Sequence, residues 1–324
     1  TLVGSIVLVI LGIVGWRVFV AGGRLSRSGL LRREGMTVYA LAMPAIIGLV
    51  VFWLGPILTV IVLGFTNYDI LREPKWLGAK NYTALVTEDP LFWKSLWNTL
   101  YYVVLGVPSA TIAALGLALL MNAPLRWRAI WRTLFFLPSI IPLVALSLLF
   151  LWLLNGERGL FNIIFDLVGL PKIPWLSSPE YSKLALIVMN FWTVGGGMII
   201  FLAALQSVPT HLLEAATIDG AGVLSRFRHV TIPSISTTLF FIIVINTIAA
   251  FQVFTQAFLI SYGRGGPENS TLFFVFYLFR QGFEYFNMGY ASAMACILFV
   301  IILGVTLIQR YGARWLGYDE EAFQ

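Results

Sequence analysis

The sequence predicts an all-α protein that crosses a membrane several times. Hydrophobic residues make up 59% of its 324 residues and charged residues only 11%, whereas a soluble domain carries roughly a quarter charged residues. The apolar residues are grouped in long runs, and an α-helix needs ~20 such residues to cross the hydrocarbon layer. A β-barrel would instead show short alternating segments.

The apolar runs also predict how the chain is arranged across the membrane. The candidate spans lie at about residues 2–20, 37–65, 97–121, 133–154, 183–207, 234–261 and 289–309. The first run is followed by the basic cluster Arg24, Arg27, Arg32 and Arg33. Basic clusters mark the cytoplasmic side, so the N-terminus is predicted to lie outside, with 122–132, 208–233 and 310–324 in the cytoplasm.

This arrangement divides the chain into three predicted parts. Residues 1–35 form an N-terminal span and a basic linker, residues 36–311 form a six-span domain, and residues 312–324 form a cytoplasmic tail. The predicted fold class is therefore an all-α polytopic membrane protein with a six-helix core and one extra helix at the N-terminus.

Residues that would carry catalysis or bind a metal are scarce. Cys296 is the single cysteine, so no disulfide can form within the chain, and His211 and His229 have no third ligand near them in the sequence. The phosphate-binding pattern G-x-x-x-x-G-K-[ST] does not occur. We therefore predict a protein that is not an enzyme, holds no metal or cofactor and does not bind nucleic acid. Any ATP would have to be used by a partner.

One polar segment separates two of the apolar runs: EAATIDGAGVLSRFRHVTIP, residues 214–233. Thr210 is predicted to cap a short helix whose first turn holds Glu214, near the positive end of the helix dipole. Gly220 and Gly222 should end that helix, because glycine adopts the left-handed conformation without strain.

A second short helix is predicted to follow, from Arg226 to His229. Pro233 should then restart a helix in its first turn, where its missing N–H costs nothing. The segment would be a compact helix–turn–helix knob in the cytoplasm. The simpler alternative is a solvated loop that only connects two spans, but connecting loops are usually short and need no helices.

The same segment carries a resemblance to a known family. Its motif E-A-A-x-x-D-G-A, followed by Val230-Thr231-Ile232-Pro233, resembles the EAA coupling loop of bacterial ABC importer permeases, with Ile232 where that family most often has Leu. Further stretches resemble the carbohydrate-uptake, maltose-permease-like branch: FFLPSIIP at 135–142, NFWTVGGGMIIFLAALQSVP at 190–209, GGPENST at 265–271 and FNMGYASAMACILF at 286–299. The resemblance covers about residues 36–311, and the first predicted span lies outside it.

The resemblance implies a saccharide-transport subunit of the bacterial cytoplasmic membrane that works with several partners in the lipid bilayer. These are a second permease subunit, a cytoplasmic ATPase dimer that binds ATP and Mg, and an extracytoplasmic solute-binding protein. The loop would dock into the ATPase and transmit its closure. The residues that match the coupling motif are Glu214, Ala215, Ala216, Asp219, Gly220, Ala221 and Pro233.

Polar residues within the predicted spans indicate where a substrate could pass, because such residues are costly in lipid and usually face a protein interior or a water-filled path. The predicted path residues are Asn190, Trp192, Thr193, Asn246, Gln252 and Gln256. By resemblance, Asn190 and Gln252 stand at or near sugar-contacting positions of the maltose-type permeases. Phe251, Phe254 and Trp192 would offer ring faces for stacking.

Two kinds of alternative remain open from the sequence. The amides could serve only to hydrogen-bond neighbouring helices, and Gly195, Gly196 and Gly197 only to allow close packing. The chain could also be a self-contained secondary carrier or channel for a small polar solute. A protein of that kind is expected to contain inverted repeats or charged residues within the membrane. A membrane-embedded enzyme would require a catalytic constellation. An ABC importer permease for a saccharide is the leading prediction.

Overall fold

The computed structural model describes residues 41–315, and these residues are helical apart from their connecting loops and one isolated β-bridge between Thr66 and Trp76. The predicted all-α fold class is thereby confirmed. The described residues divide into two compact units. The first holds residues 41–87 and 281–297, and the second holds residues 88–280 and 298–315.

The helices follow one another along the chain, and residues 64–79 form the longest connection between two of them. They are α1 (Leu41–Leu63), α2 (Lys80–Thr87), α3 (Pro90–Asn122), α4 (Arg128–Phe136), α5 (Leu143–Leu153), α6 (Leu160–Leu167), α7 (Pro179–Trp192), α8 (Gly195–Gln206), α9 (Thr210–Ile218), α10 (Val223–Arg226), α11 (Ser236–Phe251), α12 (Thr255–Ile260), α13 (Phe274–Phe279) and α14 (Met288–Trp315).

Several of these helices continue through irregular turns. α1 contains a π-helical stretch at Val50–Leu54, and α4 runs on into a 3-10 turn at Leu137–Ile140. α10 continues through a π-helical turn at Phe227–Thr231 and a last helical turn at Ile232–Ser234.

The first unit is held together by the loop that follows α1. The side-chain amide of Asn81 donates hydrogen bonds to the carbonyls of Gly64 and Thr66, at 2.9 and 2.8 Å. The amide of Leu77 donates to the carbonyl of Phe65 at 2.8 Å. These bonds fold the loop back on the end of α1.

Helix α3 organises the second unit and packs against α7, α8, α11 and α13. It begins at Pro90 because the carboxylate of Asp89 accepts hydrogen bonds from the amides of Leu91 and Phe92, at 2.9 and 3.1 Å. An Asp at the N-cap followed by a proline is a favourable helix start.

The core of this unit forms where the C-terminal half of α3 meets α8 and α11. Ala114 and Ala118 of α3 lie in one buried cluster with Phe201 of α8 and Ile242 of α11. Small side chains on one helix let the neighbouring backbones approach closely. The cluster also contains Met121, Met198, Leu202, Leu205, Val208 and Ile235.

Three apolar segments are bent pairs of helices rather than continuous ones. Two of the bends fall inside the predicted spans 133–154 and 183–207, which corrects the sequence prediction, and the third falls at the start of the predicted run 234–261. The segment Arg128–Ile140 meets Leu143–Leu153 at 98°, Pro179–Trp192 meets Gly195–Gln206 at 49°, and Val223–Ser234 meets Ser236–Phe251 at 70°. Pro142 explains the first break, since a proline disfavours helix at the preceding residue. At the second break, position 195 accommodates only glycine, because a side chain there would collide with the carbonyl oxygen of Phe135.

The predicted run 234–261 is also not one helix. Helix α11 ends at Phe251, and the chain leaves helical geometry until α12 begins at Thr255.

By length and composition, three helices within residues 41–315 could each cross a membrane: Leu41–Leu63, Pro90–Asn122 and Met288–Ala313. Up to six spans result if each bent pair is one span. The predicted span at 2–20, the basic linker and most of the tail at 312–324 lie outside the described residues, and the placement of the termini stays a prediction.

Candidate functional site

A cavity of about 350 Å³ lies within the second unit. Its polar wall consists of Asn190, Thr193, Asn246, Gln252, Thr255 and Gln256, and its aromatic wall of Tyr102 and Phe254. The remaining lining residues are aliphatic or glycine, so the wall carries no charged side chain. All of the predicted path residues except Trp192 meet in this wall.

The breaks in the helices bring these polar residues together. Every residue from Gln252 to Gln256 lines the cavity, which a regular helix could not achieve because successive side chains point about 100° apart. The stretch is possible because α11 ends at Phe251 and Phe254 has non-helical torsion angles, φ −140° and ψ −62°. The chain thus follows the cavity wall for several residues instead of crossing it once.

A second break places Asn190 and Thr193 at the end of α7. The hydroxyl and the amide of Thr193 both donate to the backbone carbonyl of Asn190, at 3.0 and 3.1 Å. These bonds close the helix end and leave the side-chain amide of Asn190 uninvolved. Gly197, one of the three consecutive glycines, lines the same cavity from α8.

The amides of the cavity differ from the buried amides elsewhere in the unit. Asn98 is fully buried and donates to the carbonyls of Asn269 and Leu272, at 2.8 and 3.0 Å. Asn162 makes four hydrogen bonds. By contrast, no hydrogen bond within residues 41–315 uses the side-chain amides of Asn190, Asn246, Gln252 and Gln256.

This contrast bears on the packing alternative. An amide that serves helix packing is expected to bond to a neighbouring helix, as Asn98 does. The cavity amides keep their donors and acceptors available for water or a solute.

The aromatic wall differs from the one that the sequence indicated. Trp192 is 46% exposed and packs edge-on against Phe150, with ring centroids 6.1 Å apart, so it does not line the cavity. Phe251 is buried in the interior, at 1% exposure. Phe254 does line the cavity, together with Tyr102, which was not among the predicted residues. Helical spacing on α3 could have indicated Tyr102, because Tyr102, Ala110 and Ala114 are spaced at close to whole helical turns and all line the cavity.

The polar segment 208–233 forms a pair of short helices, α9 and α10, as predicted. The second helix begins at Val223, before the predicted Arg226, and continues as a π-helical turn at Phe227–Thr231. Gly220 has φ +78° and ends α9 in a Schellman motif: the amide of Ala221 donates to the carbonyl of Ala216 at 2.9 Å, and the amide of Gly220 donates to the carbonyl of Thr217 at 3.1 Å. The predicted left-handed glycine is therefore confirmed at Gly220.

Other details of this segment correct the prediction. Pro209, not Thr210, is the N-cap of α9, and no side chain caps it. Glu214 consequently lies beyond the first turn. Gly222 has ordinary extended backbone, φ −68° and ψ 169°, and Pro233 lies in the last turn that continues α10, so the next helix starts only at Ser236.

The two short helices are tied to each other. The guanidinium of Arg226 donates to the hydroxyl of Thr217 at 2.8 Å. Three apolar side chains next to this tie, which were not predicted from the sequence, are strongly exposed: Ile218 at 86%, Val223 at 76% and Leu224 at 78%. Glu214, Ala215, Asp219 and Gly220 are exposed as well. The segment is a braced knob whose apolar tip has no cover within residues 41–315.

Apolar helices that are broken around a neutral polar cavity define, as a class, a polytopic membrane protein with a place for a polar solute. Comparison with known proteins specifies the family. Residues 106–318 match the family described as the binding-protein-dependent transport system inner membrane component, and the chain belongs to this family. The resemblance drawn from the coupling motif is thereby confirmed.

Individual relatives cover nearly the whole chain. It is 39% identical over 299 residues to the probable ABC transporter permease protein YesP of Bacillus subtilis (strain 168), covering 92% of this chain and 97% of that protein. It is 31% identical over 268 residues to the sulfoquinovosyl glycerol transport system permease protein SmoG of Agrobacterium fabrum, covering 82% and 86%.

The fold is also that of a solved transporter subunit. A chain of the bacterial alginate ABC transporter, crystallised in complex with an alginate pentasaccharide-bound periplasmic protein, superposes with a TM-score of 0.76. The alignment covers 88% of this chain and 96% of that chain at 23% identity. The likeness establishes the permease fold.

Within the described residues, no group of three or more His, Cys, Asp or Glu could hold a metal ion.

Proposed function

We propose that the chain is the permease subunit of an ATP-driven ABC importer and takes up a saccharide delivered by an extracytoplasmic binding protein. The observation that carries this proposal is the group of cavity amides whose hydrogen-bonding groups are unused within residues 41–315. An amide offers both donors and an acceptor, which is the combination that sugar hydroxyls require. The names of SmoG and of the alginate transporter support the same substrate class.

The cavity provides the contacts that distinguish a sugar from an ion. Asn190, Asn246, Gln252 and Gln256 would exchange hydrogen bonds with hydroxyls, and Tyr102 and Phe254 would offer ring faces to the apolar side of a pyranose. A wall without charged side chains offers an ion no opposite charge to offset its lost hydration.

The knob at 208–233 is proposed to dock into a cytoplasmic ATPase. Exposed apolar side chains at the tip of a braced segment are typical of an interaction surface, and Ile218, Val223 and Leu224 form such a tip. The small residues Ala215 and Ala216 allow close approach, and Glu214 supplies a charge that fixes the register. Asp219, Gly220 and Ala221 shape the turn between the two helices, and Pro233 lies in the helical turn Ile232–Ser234 that continues α10.

The remaining partners follow from this role. ATP and Mg would be bound by the ATPase dimer rather than by this chain. A second permease subunit would complete the membrane part, and the binding protein would deliver the substrate from outside.

The proposal is tested by comparing uptake in a bacterial host that lacks the chain with uptake in the complemented host. The probes are a panel of radiolabelled mono- and oligosaccharides, with a panel of amino acids as the matched control. We expect at least one saccharide to require the chain and the binding protein, with amino acid uptake unchanged. Chain-dependent uptake of an amino acid and of no saccharide would contradict the proposal.

A further inference from the structure

A second cavity, of about 400 Å³, lies within the first unit, and the function proposed above does not use it. Residues 66–81, in the loop after α1 and the start of α2, and residues 281–290, around the start of α14, supply its lining. We call this cavity the loop pocket. Seven of its eight lining residues have polar side chains, the exception being Leu77, and none of the eight is charged.

Hydrogen bonds hold the wall of the loop pocket in place. The amide of Asn67 donates to the carbonyl of Lys75 at 3.1 Å, and the amide of Lys75 donates back to the side-chain oxygen of Asn67 at 2.8 Å. The amide of Gly289 donates to the carbonyl of Tyr68 at 2.8 Å. A side chain at position 289 would collide with the carbonyl oxygen of Thr66. The loop and the start of α14 are therefore in direct contact, and the pocket is formed before any ligand binds.

Several polar groups of this wall are used only in part. Within residues 41–315, no hydrogen bond uses the side-chain oxygen of Asn81, the side-chain nitrogen of Asn67 or the hydroxyl of Tyr68. The side-chain amide of Asn287 donates to the side-chain oxygen of Gln281 at 3.1 Å, and its own oxygen is likewise unused in this part of the chain. Unused donors and acceptors thus occur together around one pocket.

The chemistry of the lining indicates a neutral ligand rich in hydroxyl groups. Amides and hydroxyls together offer both donors and acceptors, and a wall without charged side chains offers an ion nothing to offset its lost hydration. The rings of Tyr68 and Tyr290, which both line the pocket, would offer apolar faces to a sugar ring. The volume of the pocket lies in the range of roughly 300–1,000 Å³ that is usual for small-molecule sites.

We propose that the loop pocket is a second saccharide site and binds one sugar unit of the transported saccharide on the side of the membrane predicted to be extracytoplasmic. Asn67 would donate to a sugar hydroxyl, Asn81 and Asn287 would accept from hydroxyls, and the hydroxyl of Tyr68 could do either. This inference rests on the proposed saccharide function but concerns different residues from those of the cavity in the second unit.

The experiment measures binding of the saccharide that the uptake panel identifies to the assembled transporter in lipid nanodiscs, without the binding protein, by saturation-transfer difference NMR. Every sample carries Asn190→Ala/Gln252→Ala, so that binding in the cavity of the second unit is weakened. Asn67→Asp/Tyr68→Phe removes an amide nitrogen and a hydroxyl but keeps the oxygen that accepts from Lys75. It should weaken saccharide binding about ten-fold, since each hydrogen bond lost costs several-fold.

Asn155→Asp/Tyr262→Phe is the matched control. Asn155 also uses its side-chain oxygen to accept from backbone amides, those of Glu157 and Arg158, and Tyr262 is exposed. Neither residue lines the loop pocket or the cavity of the second unit. The control changes the same groups and the same charge and should leave saccharide binding unchanged; equal weakening in both variants would overturn the second site.

Two further outcomes separate this inference from the proposed function and from a protein partner. If a saccharide is taken up but Asn67→Asp/Tyr68→Phe binds it with unchanged affinity, the second site is wrong and the proposed function stands. If no saccharide requires the chain for uptake, both are wrong. Loss of the substrate-loaded binding protein in a pull-down, with saccharide binding unchanged, would assign the loop pocket to that protein and overturn the proposal.

Discussion

The cavity and the knob place their side chains in opposite ways. In the cavity, Asn190 and Gln252 line a partly open space within the second unit, and breaks in this chain's own helices shape its wall. In the knob, the apolar side chains of Ile218 and Leu224 point into the open. The cavity can therefore be formed by this chain alone, whereas the knob needs a partner to cover it. Substitutions in the two regions should impair transport in different ways.

The largest effect is expected at the turn of the knob. Gly220→Val places a β-branched residue at φ +78°, where strain costs roughly 1–3 kcal/mol, and should displace α10 from α9. We expect transport and substrate-stimulated ATP hydrolysis to be nearly abolished, while the amount of protein in the membrane is unchanged.

Gly222→Val is the matched control for this change. Gly222 has φ −68° and, like Gly220, open space where a side chain would begin. Activity close to that of the wild type is expected. Equal loss of activity in both variants would show that space at the partner surface, rather than backbone geometry, limits this turn.

A smaller but still severe effect is expected at the exposed tip. Burial of an Ile or Leu side chain is worth roughly 1.5–3 kcal/mol, so Ile218→Asp should weaken binding of the ATPase on the order of ten- to a hundred-fold. Pull-down of the ATPase at graded concentrations measures this. Leu71→Asp changes a side chain that is similarly exposed, in the loop after α1, and should leave the ATPase bound.

The charge next to the tip should matter less than the apolar contact. Glu214→Lys reverses a charge at the proposed docking surface, and close contact between like charges disfavours association. We expect ATPase binding to weaken several-fold, with a stronger effect at low salt because salt screens exposed charges. A salt-independent effect would indicate that the substitution acts by altering α9 itself.

The two kinds of amide in the second unit should respond differently to the same substitution. Asn190→Ala and Gln252→Ala each remove one possible contact to a sugar, worth on the order of 1 kcal/mol or a several-fold loss of apparent affinity. Thermal stability should stay unchanged. Asn98→Ala instead leaves the carbonyls of Asn269 and Leu272 without their donor and should lower the melting temperature. Equal destabilisation by all three changes would favour a packing role for the cavity amides.

The smallest effect is expected at Trp192. Its ring packs on Phe150 outside the cavity wall, so Trp192→Ala should leave the apparent affinity for the saccharide unchanged. Tyr102→Ala removes a ring from the wall and serves as the positive comparison in the same uptake assay.

The sequence was informative wherever local chemistry decides the conformation. Gly220 could be predicted to adopt positive φ because it follows a short helix and no side chain opposes that geometry. The long apolar runs likewise indicated the membrane helices.

Properties that depend on tertiary packing were less accessible. The break after Phe251 has no proline or glycine to signal it, and it alone brings Gln252 to Gln256 into one wall. The break before Pro142 has such a signal, but the residues on both sides of it are apolar and were therefore assigned to one continuous span. Whether Trp192 faces the cavity depends on the rotation of α7, which an apolar sequence with weak periodicity does not specify.

The most direct test of the distinction between cavity and knob is the concentration dependence of uptake by the assembled importer, once the saccharide panel has provided the substrate. The double variant Asn190→Ala/Gln252→Ala should raise the substrate concentration needed for half-maximal uptake and leave the maximal rate near that of the wild type. Ile218→Asp should lower the maximal rate and leave the half-maximal concentration unchanged. If both variants lower the maximal rate alone, the cavity amides do not contact the substrate, and the proposed division of roles is wrong.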